Sequence, residues 1–223
     1  MAKKISDDII YNIHEYGIYP PTREIFLHRY FHSESGDDGD GCGIDYRSAI
    51  TFIKNLRLLD LQNQNPILIH MQSRGGDWDD GMAIYDAISA TQSYVTVLTY
   101  AHARSMTSII FQAADRRVMM PNCIFLAHQG FLTIDDRVGP ALLELEQTKL
   151  ADQKMLDIYA WRARKGKYFQ KEKMDEKQVR KFIWKKIKEK TDWILTAKQT
   201  VYYGLADGIL GQKNFKNLED LRR

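Results

Sequence analysis

Residues 66–100, PILIHMQSRGGDWDDGMAIYDAISATQSYVTVLTY, predict a strand, a helix and a second strand in immediate succession. Pro66–Met71 is a continuous apolar run, typical of a strand buried on both faces of a parallel sheet. A helix is expected over Asp79–Thr91. Tyr94–Tyr100 is rich in β-branched and aromatic residues, which favour strands. This alternation predicts the α/β class.

The flanking sequence continues the alternation in both directions. Toward the amino terminus, we expect a helix over Asp45–Asp60 that Asp45 caps, and a first strand over Glu24–His28. Toward the carboxyl terminus, we expect a helical stretch through Ala114 and short strands over Arg117–Met120 and Cys123–Ala127. The chain should then be largely helical from about Val138 to Lys190, with a break near Gly166, before a last helix and short strand in residues 196–210.

Composition and charge restrict the classes of protein to which the chain can belong. It has 223 residues, of which 44% are hydrophobic and 27% charged, and its apolar runs are too short to span a membrane. Two cysteines, Cys42 and Cys123, form no disulfide framework and indicate a reducing compartment. Without a recognisable signal peptide, we expect a cytoplasmic protein with no membrane partner.

Two segments carry unusual charge. Arg162–Lys190 holds 13 basic and 4 acidic residues, which suits either an acidic partner or, as we expect, the solvated face of a helix. Nucleic acid is therefore not an expected partner. Ser33–Gly43 is rich in glycine and aspartate, but it lacks the closing glutamate of a calcium loop, because Ser48 stands at that position. A surface loop is the expected structure there.

Three expected strand ends carry groups that could perform chemistry. Parallel sheets place working groups at the carboxyl ends of strands, and these ends read Ser73–Gly76, Ala103–Met106 and Ala127–Gly130. The first offers glycine N–H groups, the second a serine at a helix start, and the third a histidine. A nucleophile, a base and oxyanion donors are the parts that acyl transfer needs.

Each of these elements alone also has a structural explanation. A glycine pair is usually a turn, a serine at a helix start is usually a cap, and a lone histidine is usually a satisfied core or surface residue. The other histidines (His14, His28, His32, His70 and His102) have no comparable setting and are interpreted as structural. No cluster of histidine, cysteine and aspartate has metal-ligand spacing, so we expect neither metal nor cofactor.

The motifs together resemble the Clp proteolytic subunit (ClpP) family of serine peptidases. Residues 69–76, IHMQSRGG, are similar to that family's Asn-Ser-Pro-Gly-Gly strand end, and ARSM at 103–106 to its Ala-Ala-Ser-Met nucleophile motif. MPNCIFLAHQ at 120–129 is similar to the Leu-Pro-Asn…His-Gln motif. TDWILTAKQTVYYGLAD at 191–207 is similar to the Arg-Asp…Leu-Ser-Ala…Tyr-Gly-Leu-Val-Asp tail.

This resemblance implies a role for each matching residue. Ser105 would be the nucleophile, His128 the general base and Asp192 the third member of a catalytic triad, with Asp135, Asp136 and Asp152 as alternatives for that last position. The N–H groups of Gly76 and Met106 would form the oxyanion hole.

The resemblance also implies a fold and an assembly. The fold would be a crotonase-like ββα spiral, with a peptidase domain over 24–210 that includes a helical handle at about 138–190, an N-terminal arm at 1–23 and a C-terminal tail at 211–223. Family members form ring homo-oligomers that an AAA+ ATPase unfoldase often feeds with unfolded protein. The expected reaction is hydrolysis of peptide bonds through an acyl-enzyme, without a cofactor.

Several residues depart from the family pattern. Arg74, Arg104 and Gly130 replace a proline, an alanine and a proline, and Thr191 stands where an arginine often helps to join two rings. The segment 130–137, which would serve ring–ring contact, is only loosely similar. A virus-encoded stand-alone protease, an inactive scaffold or regulatory subunit, and a basic binding module therefore stay open as alternatives; a crotonase-type acyl-thioester enzyme would share the fold but would not need the serine and histidine motifs.

Overall fold

The computed structural model describes residues 6–27, 43–130 and 137–222, and these form one eight-stranded mixed sheet with helices packed against it. The strands are β1 (Ile18–Tyr19), β2 (Glu24–Leu27), β3 (Ile67–Ser73), β4 (Val95–Arg104), β5 (Arg116–Met119), β6 (Ile124–His128), β7 (Asp192–Thr196) and β8 (Gly208–Ile209). The helices are α1 (Asp7–Tyr16), α2 (Tyr46–Gln62), α3 (Trp78–Ala90), α4 (Met106–Ile110), α5 (Val138–Ala163), α6 (Lys167–Lys171), α7 (Glu176–Lys190) and α8 (Ala197–Tyr202). Short 3₁₀ turns cover Pro20–Thr22, Phe111–Ala113 and Leu218–Leu221.

The α/β prediction is confirmed, because strands β2 to β5 are parallel and α2 and α3 connect them. Asp45 caps α2 as expected: its carboxylate accepts the N–H of Ser48, and the Ser48 hydroxyl accepts the N–H of Asp45 in return. This reciprocal pair satisfies two of the donors that a helix start leaves open. Ala49 and Leu56 are buried on the sheet-facing side of α2 as predicted, whereas Ile53 is half-buried.

Strand β4 pairs with different neighbours along its ten residues. Its first part lies between β3 and β5, and its last three residues, His102–Arg104, pair in parallel with β6. Because β4 and β6 run in the same direction there, their carboxyl ends meet at one edge of the sheet. This pairing places the residues after Arg104 beside His128, the last residue of β6.

Helices α5, α6 and α7 lie in the segment that was predicted to form a helical handle, with the expected break at Arg164–Gly166. Helix α7 buries Val179, Ile183 and Ile187, which lie one turn apart, and most of its lysines lie on the exposed side. The basic segment thus includes a solvated helix face, as the sequence indicated. None of the helices in the described ranges is long and apolar enough to cross a membrane.

Among the described elements, α1, the two-residue strand β1 and β7 were not predicted from the sequence. Helix α1 lies in the segment that was expected to be an arm, and its first turn carries Asp7 and Asp8, which favour a helix start. Strand β7 immediately follows α7 and is antiparallel to β6. Residues 33–42 of the expected loop, His28 at the end of the first strand, and the segment 131–136 lie outside the described residues.

The carboxyl-terminal end of the described chain packs against strands β2 to β5 of the sheet. Leu221 is fully buried against Leu68, Leu98 and Val118, in a small apolar cluster separate from the main core. Arg222 then donates to the Glu24 carboxylate at 2.6 Å, which joins residues that are 198 positions apart.

Candidate active site

Ser105 connects β4 to α4 in a backbone conformation that is unusual for a residue with a side chain. Its φ is +50° and its ψ is −129°, a strained region that costs on the order of 1–3 kcal/mol. Among the described residues, its hydroxyl makes no capping hydrogen bond to α4. Instead, Ser105 Oγ lies 2.7 Å from His128 Nε2. This geometry rules out the interpretation of Ser105 as a simple helix cap.

The antiparallel pairing of β6 with β7 places His128 opposite Asp192. The distance from His128 Nδ1 to Asp192 Oδ1 is 3.6 Å, which suits an ion pair but is long for a direct hydrogen bond. The imidazole is largely buried, whereas 42% of the Asp192 side chain is exposed. The structure therefore brings the three predicted residues together in the order serine, histidine, aspartate.

The surroundings of His128 favour its neutral form. Burial lowers the pKa of His128 below its ordinary value, while the negative charges of Asp192 and Asp152 act in the opposite direction. A neutral imidazole can accept a proton from the Ser105 hydroxyl near pH 7. The acidic neighbours would then stabilise the imidazolium that this transfer creates.

Asp152, one of the alternatives for the third position, lies in the same cleft but contacts a different residue. Its Oδ2 accepts a hydrogen bond of 2.8 Å from Gln129 Nε2, and the residue is 8% exposed. Asp192 is thus the carboxylate aligned with the His128 ring, and Asp152 is a second one nearby. Asp135 and Asp136 lie outside the described residues.

The glycines after β3 have no room for side chains. A Cβ on Gly75 would lie 2.5 Å from the Cβ of Ser105, and one on Gly76 would lie 2.1 Å from the carbonyl oxygen of Ile44. Both glycines have positive φ values, +115° and +149°. The backbone of this turn can therefore approach Ser105 directly, as the sequence pattern suggested.

Thr107 and Ser108 fix the nucleophile loop, and sequence reasoning missed both. The Thr107 hydroxyl lies 2.9 Å from the carbonyl oxygen of Ser73, which joins the loop to the glycine turn. The Ser108 hydroxyl contacts both the Ser105 carbonyl and the phenol of Tyr159 on α5. Their position directly after the serine on a buried helix turn was the available signal, but their partners are 34 and 51 residues away.

A cleft of about 750 Å³ opens over Ser105 and His128. Gly76 and Met106, the predicted oxyanion donors, both line it. The rest of the described lining comes from the turn after β3, from α3, from α4, from the segment after β6 and from one face of α5: Arg74, Asp77, Trp78, Asp79, Ile109, Gly130, Glu144, Gln147, Thr148, Ala151, Asp152 and Met155. A cleft of this size can hold several residues of an extended peptide.

Two other reactive side chains lie elsewhere. Cys123 is buried against Thr99, and burial raises the pKa of its thiol to about 11, so it is a poor nucleophile. His70 is buried with its Nε2 2.7 Å from Glu24 Oε2 and its Nδ1 2.8 Å from the Tyr100 hydroxyl. These buried contacts support the structural interpretation of His70. Within the described ranges, no group of three acidic, histidine or cysteine side chains could hold a metal ion.

All four of the single-residue departures lie in or beside this site, and Gly130 is among the residues that line the cleft. Arg74 lines the cleft, and Arg104 immediately precedes Ser105. Burial and then the charges of Arg104 and Arg74 lower the pKa of His102, which lies on the same strand as Arg104. Thr191 has a φ of +66°, which is unusual for a β-branched residue, directly before Asp192.

Comparison with known families and proteins gives a consistent result. The sequence model of the family described as Clp protease matches residues 41–213. An ATP-dependent Clp protease proteolytic subunit 2 from Treponema denticola is 30% identical over 174 residues, which cover 75% of this chain and 77% of the relative. An ATP-dependent Clp protease proteolytic subunit from Deinococcus radiodurans is 24% identical over 175 residues, which cover 77% of this chain and 78% of the relative.

A solved structure also superimposes over most of the chain. A mutant of ClpP1 from Listeria monocytogenes matches with a TM-score of 0.65 at 20% identity, covering 91% of this chain and 96% of the other. At that identity the match shows a shared fold. The predicted ClpP-like fold is therefore confirmed.

Proposed function

Because this chain belongs to the Clp protease family, we propose that it is a serine endopeptidase that hydrolyses peptide bonds through an acyl-enzyme. The observation that carries the proposal is the 2.7 Å contact between Ser105 Oγ and His128 Nε2 at the base of an open cleft. A strained serine backbone, a largely buried imidazole and a side-chain-free glycine turn add to it.

In the first half of the proposed reaction, Ser105 Oγ attacks the carbonyl carbon of the scissile bond. His128 Nε2 takes the hydroxyl proton as the Oγ–C bond forms, and then gives it to the leaving amine as the C–N bond breaks. Asp192 orients the imidazole and stabilises its charged form without taking the proton.

The N–H groups of Gly76 and Met106 are the proposed donors to the tetrahedral oxyanion. They come from two separate loops that Thr107 ties together, so the donors are fixed before substrate arrives. A preorganised donor of this kind is typically worth about 3 kcal/mol of transition-state stabilisation. In the second half, water attacks the acyl-enzyme with His128 as its base, and Ser105 is regenerated.

We propose further that the chain works as a ring-shaped homo-oligomer and receives unfolded protein from an AAA+ ATPase. The relatives are named as ATP-dependent proteolytic subunits, which supports a partner of this kind. The first half of α5 also leaves large apolar side chains exposed, which suits a subunit contact: Val138, Leu142, Leu143 and Leu150 are each more than half exposed. Like charges on the basic handle would weaken the stacking of two rings, so higher salt should favour it.

Labelling with a fluorophosphonate probe, followed by peptide mapping and native mass spectrometry, tests the proposal. We expect covalent modification of Ser105 alone, on a particle of several subunits. A folded protein in which Ser105 stays unmodified would be an inactive family member, and the proposed activity would be wrong. A monomer that cleaves peptides at full rate would contradict the ring.

A further inference from the structure

One face of α5 forms a wall of the cleft, and the residues on this face become more buried toward the carboxyl end of the helix. Glu144, Thr148, Asp152 and Met155 recur at helical spacing and all line the cleft. Asp152 and Met155 are buried, whereas Glu144 is exposed. Since eight residues of helix span about 12 Å, this face carries one carboxylate at the rim and another about 12 Å further in.

The inner carboxylate has apolar neighbours and a fixed position. Met106, Ile109 and Met155 line the same cleft as Asp152 and are largely buried. Gln129, the residue after His128, holds Asp152 through the 2.8 Å hydrogen bond. An amide donates a hydrogen bond but carries no charge, and a buried carboxylate is normally retained only where a cation can pair with it.

The rim adds to the negative charge of the cleft. Among the described lining residues, four are acidic and one, Arg74, is basic. Arg74 is exposed on the turn after β3 and not on the α5 wall. Close to this edge, burial and the charges of Asp77, Asp45 and Asp79 raise the pKa of Asp80. The cleft should therefore attract cationic peptides.

From these observations we infer that the cleft selects peptides with arginine or lysine at the residue whose carbonyl Ser105 attacks. The inference rests on the proposed peptidase function and adds its substrate class. The long apolar stem of such a side chain would lie against Met106 and Met155, and its charged head would reach Asp152. A guanidinium can donate two hydrogen bonds to one carboxylate, which makes arginine the better fit.

Two peptides that differ only in having arginine or citrulline at the residue before the cleaved bond test this inference. Arginine and citrulline have nearly the same shape, but citrulline is uncharged, so the ratio of their kcat/KM values isolates the charge. We expect the arginine peptide to be cleaved faster by on the order of tenfold or more, as for a charge that is paired in a partly buried site. Asp152→Asn should bring the ratio close to one.

Two further variants serve as comparison and control. Glu144→Gln removes the exposed carboxylate with little risk to folding, and it should lower the ratio by less than Asp152→Asn. Asp157→Asn changes a carboxylate on the same helix that is exposed and bound to Arg180 outside the cleft, and it should leave the ratio unchanged.

The outcomes separate this inference from the proposed function. If Ser105 is labelled but the citrulline or methionine peptide is cleaved as fast as the arginine peptide, the inference is wrong and the peptidase stands. Equal losses for both peptides in Asp152→Asn would make Asp152 a positioning residue for His128 and would also overturn the inference. Absence of both labelling and cleavage would overturn the function and the inference together.

Discussion

The described residues include two histidine–carboxylate pairs, each with a hydroxyl beside it, and the tighter pair is the one outside the cleft. His70 lies 2.7 Å from Glu24 and both side chains are nearly inaccessible, whereas His128 lies 3.6 Å from Asp192, which is 42% exposed. His70 also stacks on Phe26, and Arg222 forms an ion pair with the other carboxylate oxygen of Glu24. The proposed chemistry thus depends on access and on an imidazole that can be oriented, whereas the shorter histidine–carboxylate distance belongs to the structural pair.

Removing the hydroxyl beside each histidine should give the largest difference in activity between the two pairs. We expect Ser105→Ala to lower peptide cleavage by at least about a thousandfold and to leave the assembly intact, because it removes the nucleophile and little volume. Tyr100→Phe removes the hydroxyl beside His70 and should leave kcat/KM near that of the unmodified protein. Initial rates on a quenched peptide measure both, and substantial cleavage by Ser105→Ala would mean that another residue is the nucleophile.

Neutralising Asp192 should lower the rate without lowering stability. Asp192→Asn removes the charge that orients and stabilises the His128 imidazolium, so we expect kcat to fall by on the order of 100-fold or more, yet by less than in His128→Ala. Since Asp192 is partly exposed, the free energy of unfolding should change little. Near-normal turnover here, together with a collapse in Asp152→Asn, would identify Asp152 as the third member of the triad.

Neutralising Glu24 should lower the stability of the protein without lowering the rate of cleavage. Glu24→Gln leaves His70 and Arg222 without their buried carboxylate, and breaking such a pair costs about 3–5 kcal/mol. Urea unfolding should show this loss as a lower transition midpoint, while kcat/KM of the folded protein stays the same. A variant that unfolds normally but has lost activity would show that the two pairs are coupled.

The pH dependence should also differ between the pairs. Burial opposes ionisation of Glu24, but hydrogen bonds from His70 and Thr22 and the charge of Arg222 lower its pKa to about 2. Its contribution to stability is therefore complete above about pH 4.5 and is lost as the pH falls toward 2. Because the pKa of His128 is lowered, the acid limb of kcat/KM should lie below pH 6.5, and further below in Asp192→Asn. Stability profiles and rate profiles measured on the same samples test both statements.

The sequence predicted the parts of the site better than their connections. The strand–helix pattern from residue 66 onward placed Gly76, Ser105 and His128 at strand ends, since periodicity and turn residues are local signals. The alignment of Asp192 depends on β7. The apolar run Trp193–Leu195 in this strand does not show which residues are buried: Ile194 points outward and is 56% exposed, while both neighbours are buried. From residues alone, that segment followed a lysine-rich helix and showed no clear strand period.

Long-range polar contacts could not be predicted from the sequence, because periodicity and turn residues report only on local structure. Glu24, His70 and Arg222 come from three distant segments, and only the register of β2 with β3 brings the first two together. Arg23 similarly donates to the carbonyls of Leu59 and Asn63, although an arginine before a strand would be expected to lie in solvent. Resemblance to a family supplied the role expected for Asp192, whereas these structural contacts have no such motif.

The bond between Glu24 and Arg222 has a consequence for how the chain matures. During synthesis, residue 24 is made 198 residues before residue 222, an interval of roughly 10 to 40 s at ordinary translation rates. Until that interval ends, the Glu24 carboxylate lacks Arg222, and the apolar patch of Leu68, Leu98 and Val118, once it is made, lacks the cover of Leu221. A nascent chain therefore exposes this apolar patch to solvent or to a chaperone, and a truncated product that ends before residue 221 would keep the patch exposed.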